Sequence, residues 1–140
     1  LNERKVPAMA FFHMPPAEFK EAYEKMKLGD HSVSYEHGSI GEKDEYFGIS
    51  NRPPHFFEKA VDNGWLKWIF CGHDHLNTLS LTYKGIRMTY GMSIDYLGYS
   101  GIAKQYIQRG ATLITRKTDG NIDITMVPLT TVVSTRVRGA

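Results

Sequence analysis

Apolar positions along this chain come in short bursts, separated by glycine, paired prolines and polar runs. Val6 to His13 is brief, apolar and closed by two prolines, which predicts a buried strand ending at His13. Pro15-Pro16 is well placed to open a helix, because proline at a first turn gives up an N–H that has no helical partner there. Within "AEFKEAYEKMK", Phe19, Tyr23 and Met26 recur at helical spacing and form the inward face. Glu18, Lys20, Glu21 and Lys25 form the solvated face, and Gly29 ends the helix. From Asp30 to Arg52 no period is visible. Its polar, glycine-bearing run "GSIGEKDEYFGISNR" reads as a long loop of the kind that often carries function. Pro53-Pro54 opens a second helix, "HFFEKAVDNGW", with Phe57, Ala60 and Val61 inward and Asn63-Gly64 at its end. Leu66 to Cys71 is the next buried strand. Leu79 to Tyr83 and Ile86 to Tyr90 flank Lys84-Gly85 as a hairpin; Thr112 to Lys117 and Ile122 to Val127 flank Asp119-Gly120-Asn121 as another. Between the hairpins "YGMSIDYLGYSG" is a glycine- and tyrosine-rich loop, and patterning fades after Pro128. The order strand, helix, helix, strand, hairpins predicts an α/β fold, with α+β as the alternative, in a single unit over residues 1–140.

Composition adds bounds. A chain of 140 residues with 41% hydrophobic and 23% charged positions suits one globular domain with a real core. A net charge of +2, with the basic residues scattered, provides no nucleic-acid-binding surface. No apolar run approaches the length of a membrane span. Cys71 is the only cysteine, so no internal disulfide can form, and its apolar neighbours make it a small buried filler. Trp65 and Trp68 read as core or interface. The chain opens on Leu1 rather than methionine, which leaves room for sequence upstream, a removed signal peptide included.

The candidate chemistry lies in histidine. In "FCGHDHLNT", His73 and His75 follow a buried strand directly after a glycine that lets the backbone turn. If the segment is extended, residues two apart face one way, so both imidazoles meet one point while Asp74 faces the other side and holds the loop by hydrogen bonding. Neutral imidazoles are metal ligands. The competing reading is a polar turn with surface histidines. His13 also ends an apolar strand, at the strand-end position where α/β sites form; its competing role is a capping or packed histidine. His31, His37 and His55 read as surface histidines.

Together "PAMAFFHMPPAEF" and "WIFCGHDHLNTLSLTYKGIRMTYG" resemble the calcineurin-like metallophosphoesterases, in particular their purple-acid-phosphatase-like branch. The family's isolated strand-end histidine falls on His13 and its Gly-His-x-His on Gly72-His73-Asp74-His75. Asn77, Tyr90-Gly91 and "RGATLITR" are similar too, so the likeness runs from about Pro7 to Arg116. The family's Asp-x-His, Gly-Asp-x-x-Asp and Gly-Asn-His motifs are absent. The resemblance therefore implies the C-terminal half of a two-sheet αββα sandwich, a mixed sheet followed by C-terminal β-hairpins. It implies His13 and His73 on one metal and His75 on the other, with Asp74 and Asn77 supporting them. The complete site would hold two divalent or trivalent ions (Fe, Zn, Mn or similar) and hydrolyse a phosphomonoester or phosphodiester by metal-bound hydroxide. Arg52, Tyr96 and Tyr99 are candidate substrate-rim residues; the plainer reading is that the tyrosines pack their loop.

Three neutral imidazoles bring no negative charge to offset two dications, so this chain alone is not expected to be active. Its expected partner is the N-terminal half of the phosphoesterase domain, as a separate chain or a missing segment. Half a sandwich exposes sheet edges, so self-association is the alternative way to cover them. The alternative function is a truncated, catalytically inactive module that binds metal or a partner, and beyond that a plain structural domain whose histidines bind nothing.

Overall fold

The computed structural model describes residues 6–49, 55–99, 102–104 and 109–129, apart from the side chain of residue 103. The chain divides into two compact units, Leu1–Gly91 and Met92–Ala140.

The first unit carries the strands β1 (Ala8–Phe11), β2 (Val33–His37), β3 (Leu66–Cys71), β4 (Ser80–Tyr83) and β5 (Ile86–Tyr90), with helices α1 (Ala17–Lys27) and α2 (His55–Asn63). The five strands form one mixed sheet in the order β1-β3-β5-β4-β2. β1, β3 and β5 run parallel, while β4 is antiparallel to both β5 and β2. With two helices against it, this is the α/β class expected. One element differs from expectation: Val33–His37 is a strand where the sequence reads as loop. Only Val33 of its five residues is buried, so no apolar period marks it; backbone pairing with β4 along one sheet edge defines it instead.

Pro16 sits at the N-terminal boundary of α1 in extended conformation, as the residue before a first helical turn should be. At the other end Gly29, at φ 77°, donates to the Met26 carbonyl, and Asp30 donates to the Lys25 carbonyl. These paired bonds form the left-handed stop that glycine favours. Phe19 and Ala22 of α1 and Phe57 and Ala60 of α2 pack on Ile69, Leu81, Tyr83, Ile86, Met88 and Tyr90 of the sheet. Each such large side chain contributes about 1.5–3 kcal/mol on full burial.

β1 alternates between the core and the open side: Ala8 and Ala10 pack inward, while Met9 and Phe11 face out. Its register with β3 sets Phe11 opposite Phe70, and their rings stack at 5.1 Å. The pairing continues past the strand, where Phe12 N–H donates to the Phe70 carbonyl and Gly72 N–H to the His13 carbonyl, at 2.9 and 3.0 Å. Those two bonds deliver His13 beside the turn after β3.

In the second unit β6 (Gly110–Arg116) pairs antiparallel with β7 (Ile122–Pro128) through the turn around Gly120. Arg109 is buried, donates from Nε to the Asp95 carbonyl and lies over the Tyr96 ring at 5.2 Å.

Candidate metal centre

The turn after β3 is not extended. His73 has φ 70°, in the left-handed region that few non-glycine residues enter and in which asparagine, aspartate and histidine are the most frequent of them. Asp74 N–H donates back to the Gly72 carbonyl and Asn77 N–H to the Asp74 carbonyl. The rule that residues two apart point one way therefore does not govern His73 and His75. What meets His73 is His13: Nδ1 of His73 lies 3.1 Å from Nε2 of His13, with the rings at 80° to one another. His75 is half-buried in the same turn. Among the described residues, no group of three or more histidine, cysteine, aspartate or glutamate side chains is placed to hold a metal.

Asp74 and Asn77 do structural work here. Asp74 is buried, and its carboxylate accepts Gly48 N–H at both oxygens (3.1 and 3.0 Å) and the Tyr90 hydroxyl at 2.6 Å. Burial first, then this hydrogen bond, pushes the Tyr90 hydroxyl well above its ordinary pKa, so it stays protonated and keeps donating. Asn77 is fully buried; its Oδ1 accepts Gly41 N–H and Glu42 N–H at 3.0 and 3.1 Å, and its Nδ2 donates to the Tyr46 carbonyl at 3.1 Å. Glu42 in turn accepts Leu76 N–H at 3.0 Å. The segment from Gly38 to Ile49 is thus fastened around the histidine turn, and Phe47 sinks its ring into the core against Phe19, Tyr23 and Tyr90.

Gly48 is a site residue the sequence does not announce. A Cβ there would overlap Cδ2 of His73 and fall 2.5 Å from its Nε2 and 2.7 Å from Oδ1 of Asp74. The glycine lets the loop backbone press on one edge of the His73 ring. Nothing distinguishes it in sequence from the other glycines of a polar loop.

Tyr96 and Tyr99 belong to the second unit, both exposed, with Tyr96 under the Arg109 guanidinium. Arg52 lies outside the described residues. Cys71 is buried, and burial pushes its thiol pKa far up, which favours the neutral thiol. His31 and His55 are exposed, whereas His37 is half-buried and its Nδ1 accepts from Arg87 Nη2 at 3.2 Å.

Whether the imidazole pair suits a metal can be judged from its spacing. Two imidazole nitrogens about 2.1 Å from a shared ion, at angles from octahedral to tetrahedral, are roughly 3.0–3.4 Å apart. The 3.1 Å between His13 and His73 lies in that range. In the metal-free protein the same spacing is a hydrogen bond, one ring N–H donating to the other nitrogen.

No protein-family model matches the chain, and no solved structure matches it. Curated relatives do. The chain is 28% identical over 98 residues to the probable inactive purple acid phosphatase 29 of Arabidopsis thaliana, an alignment covering 70% of this chain and 22% of that protein. It is 31% identical over 93 residues to the probable inactive purple acid phosphatase 28 of the same plant, covering 66% and 20%. It is 38% identical over 47 residues to the probable inactive purple acid phosphatase 14, covering 34% and 12%. The chain therefore spans about a fifth, or less, of the length of these relatives. Over most of its length, the sequence is similar to one part of plant proteins of the purple-acid-phosphatase-like kind, each of them named as probably inactive.

Proposed function

We propose that this chain is the histidine-bearing part of a metallophosphoesterase-type domain, and that His13 and His73 form half of a metal site. The observation that carries this reading is the 3.1 Å approach of His13 Nε2 to His73 Nδ1, between residues sixty positions apart. His75 is the proposed ligand of a second ion, and Asp74 and Asn77 hold the turn. A metal bound here, with the carboxylates this chain lacks, would supply Lewis-acid stabilisation of a phosphate ester. The chain's own contribution is to position two neutral imidazoles on a rigid strand-end turn.

The completing segment is proposed to dock along β1. That strand is an edge of the sheet, and its surroundings expose apolar side chains: Phe11 is 64% exposed, and Val6, Phe12, Met14 and Phe56 are exposed with it. An open edge flanked by apolar surface is what a missing neighbour leaves behind.

A second reading has its own support. All three relatives carry names that call them probably inactive, which favours a module that binds metal or a partner without turnover. Metal retention tests the shared part of both readings. After dialysis against Co²⁺ and then buffer, the wild-type chain should hold up to one equivalent, and His13→Ala and His73→Ala should each lose it. Retention under a tenth of an equivalent by wild type would count for a plain structural domain. Phosphatase assay with Mn²⁺, in a protein that also carries the Asp-x-His segment, then separates the two readings: turnover above buffer supports the enzyme, none supports the binding module.

A further inference from the structure

We propose that Asp74, Gly48 and Tyr90 form a positioning clamp that holds the His73 ring with Nδ1, rather than Nε2, turned to His13. This rests on the reading of His13 and His73 as a metal half-site and adds which residues set its geometry. The first observation is the His73 backbone, which sits at φ 70° without being glycine. Such a conformation persists only where the surroundings over-determine it, and it gathers at functional sites.

The second observation is what surrounds it. The next residue, Asp74, is buried with its carboxylate taking one N–H from the loop and one hydroxyl from β5. Asp74 therefore ties the histidine turn to Gly48 on one side and to the end of a core strand on the other. The third is Gly48 itself. Its φ is not left-handed, so glycine is there for space rather than for backbone freedom. The space is filled by the Cδ2–Nε2 edge of the His73 ring. With that edge covered by loop backbone, Nδ1 is the nitrogen left facing His13. Phe47, buried beside Gly48, fixes the loop in the core, so the ring cannot swing by pushing the loop outward.

None of the three clamp residues touches the proposed ion. They act through His73, as partners behind a ligand commonly do, and losing such a partner typically weakens metal affinity 10–100-fold. Gly48→Ala places a Cβ against the ring. The ring gives way, because the backbone of the loop and the Asp74 carboxylate are held on several sides.

The test uses the full 140-residue chain, isotope-labelled, as wild type, Gly48→Ala and Asp74→Asn. Without metal, wild type should show a nuclear Overhauser contact between the His13 and His73 imidazole protons, and both variants should lose it while their far-UV circular dichroism matches wild type. On titration with Co²⁺, the variants should bind about tenfold or more weakly, with an altered visible spectrum. Variants that keep the ring–ring contact and bind Co²⁺ like wild type would overturn the clamp. If Gly48→Ala does not fold, Asp74→Asn decides. If wild type takes up no Co²⁺, the half-site reading fails, and the ring–ring contact in the variants still decides the clamp.

Discussion

The left-handed backbone at His73 makes a prediction about stability that runs against function. At φ 70° a side chain with a Cβ meets the following carbonyl, at a cost of roughly 1–2 kcal/mol relative to glycine. Replacing His73 by Ala keeps that cost; replacing it by Gly removes it but adds about 0.4–1 kcal/mol of unfolded-chain entropy. Both substitutions delete the imidazole, so the lost ring contacts cancel between them. Gly should therefore exceed Ala by about 0.5–1 kcal/mol, with Asn between, since its short amide tolerates this conformation. For an m-value of about 1–3 kcal/mol/M, the urea midpoint of His73→Gly should lie roughly 0.2–1 M above that of His73→Ala. Far-UV circular dichroism during urea unfolding measures it. Metal retention should be lost in all three variants, so the most stable of them is also functionless, the pattern of a strained site. An Ala variant as stable as the Gly variant, or more so, would refute the strain argument.

Three further outcomes follow from other residues. Asn77→Ala strips acceptors from the Gly41 and Glu42 N–H groups and a donor from the Tyr46 carbonyl; it should cost about 2 kcal/mol and make the loop from Gly38 to Ile49 cleave faster in limited proteolysis. Tyr90→Phe removes one buried donor to Asp74 and should cost about 1–2 kcal/mol by chemical denaturation, with the Gly48 bonds intact. Burial, reinforced by the Arg87 guanidinium, holds the His37 imidazole below its ordinary pKa of 6.5, with Glu36 opposing. Below pH 6.5 the unfolded chain therefore takes up a proton that folded His37 refuses, and stability falls as the pH drops through that window. His37→Gln should flatten this part of the stability–pH curve, and an unchanged slope would contradict the assignment.

The sequence made the core elements legible because their apolar periods are strong. Phe19, Tyr23 and Met26 repeat at helical spacing, and Leu66 to Cys71 is apolar apart from the exposed Lys67 and is followed directly by Gly72. β2 was hidden for the opposite reason: four of its five side chains are at least partly exposed, and what holds it is backbone pairing that leaves no trace in residue type. The approach of His13 to His73 was foreseeable from strand ends, because two parallel neighbours must finish at the same edge of the sheet. The turn conformation was not. An extended reading of Gly72 to His75 follows from alternation, yet the Asp74 carboxylate, held by residues 26 positions before it and 16 after, bends the backbone into a turn. Gly48 is the extreme case, since only the position of a ring from another part of the chain explains why a side chain is excluded there.

The claim that His13 and His73 share a cation is tested most directly by adding Co²⁺ to the labelled chain and following all six histidine imidazole signals. The account predicts saturable, paramagnetically shifted resonances for His13 and His73, while those of His31, His37 and His55 stay in place. Uniform broadening of every histidine, or shifts confined to the exposed ones, would contradict it.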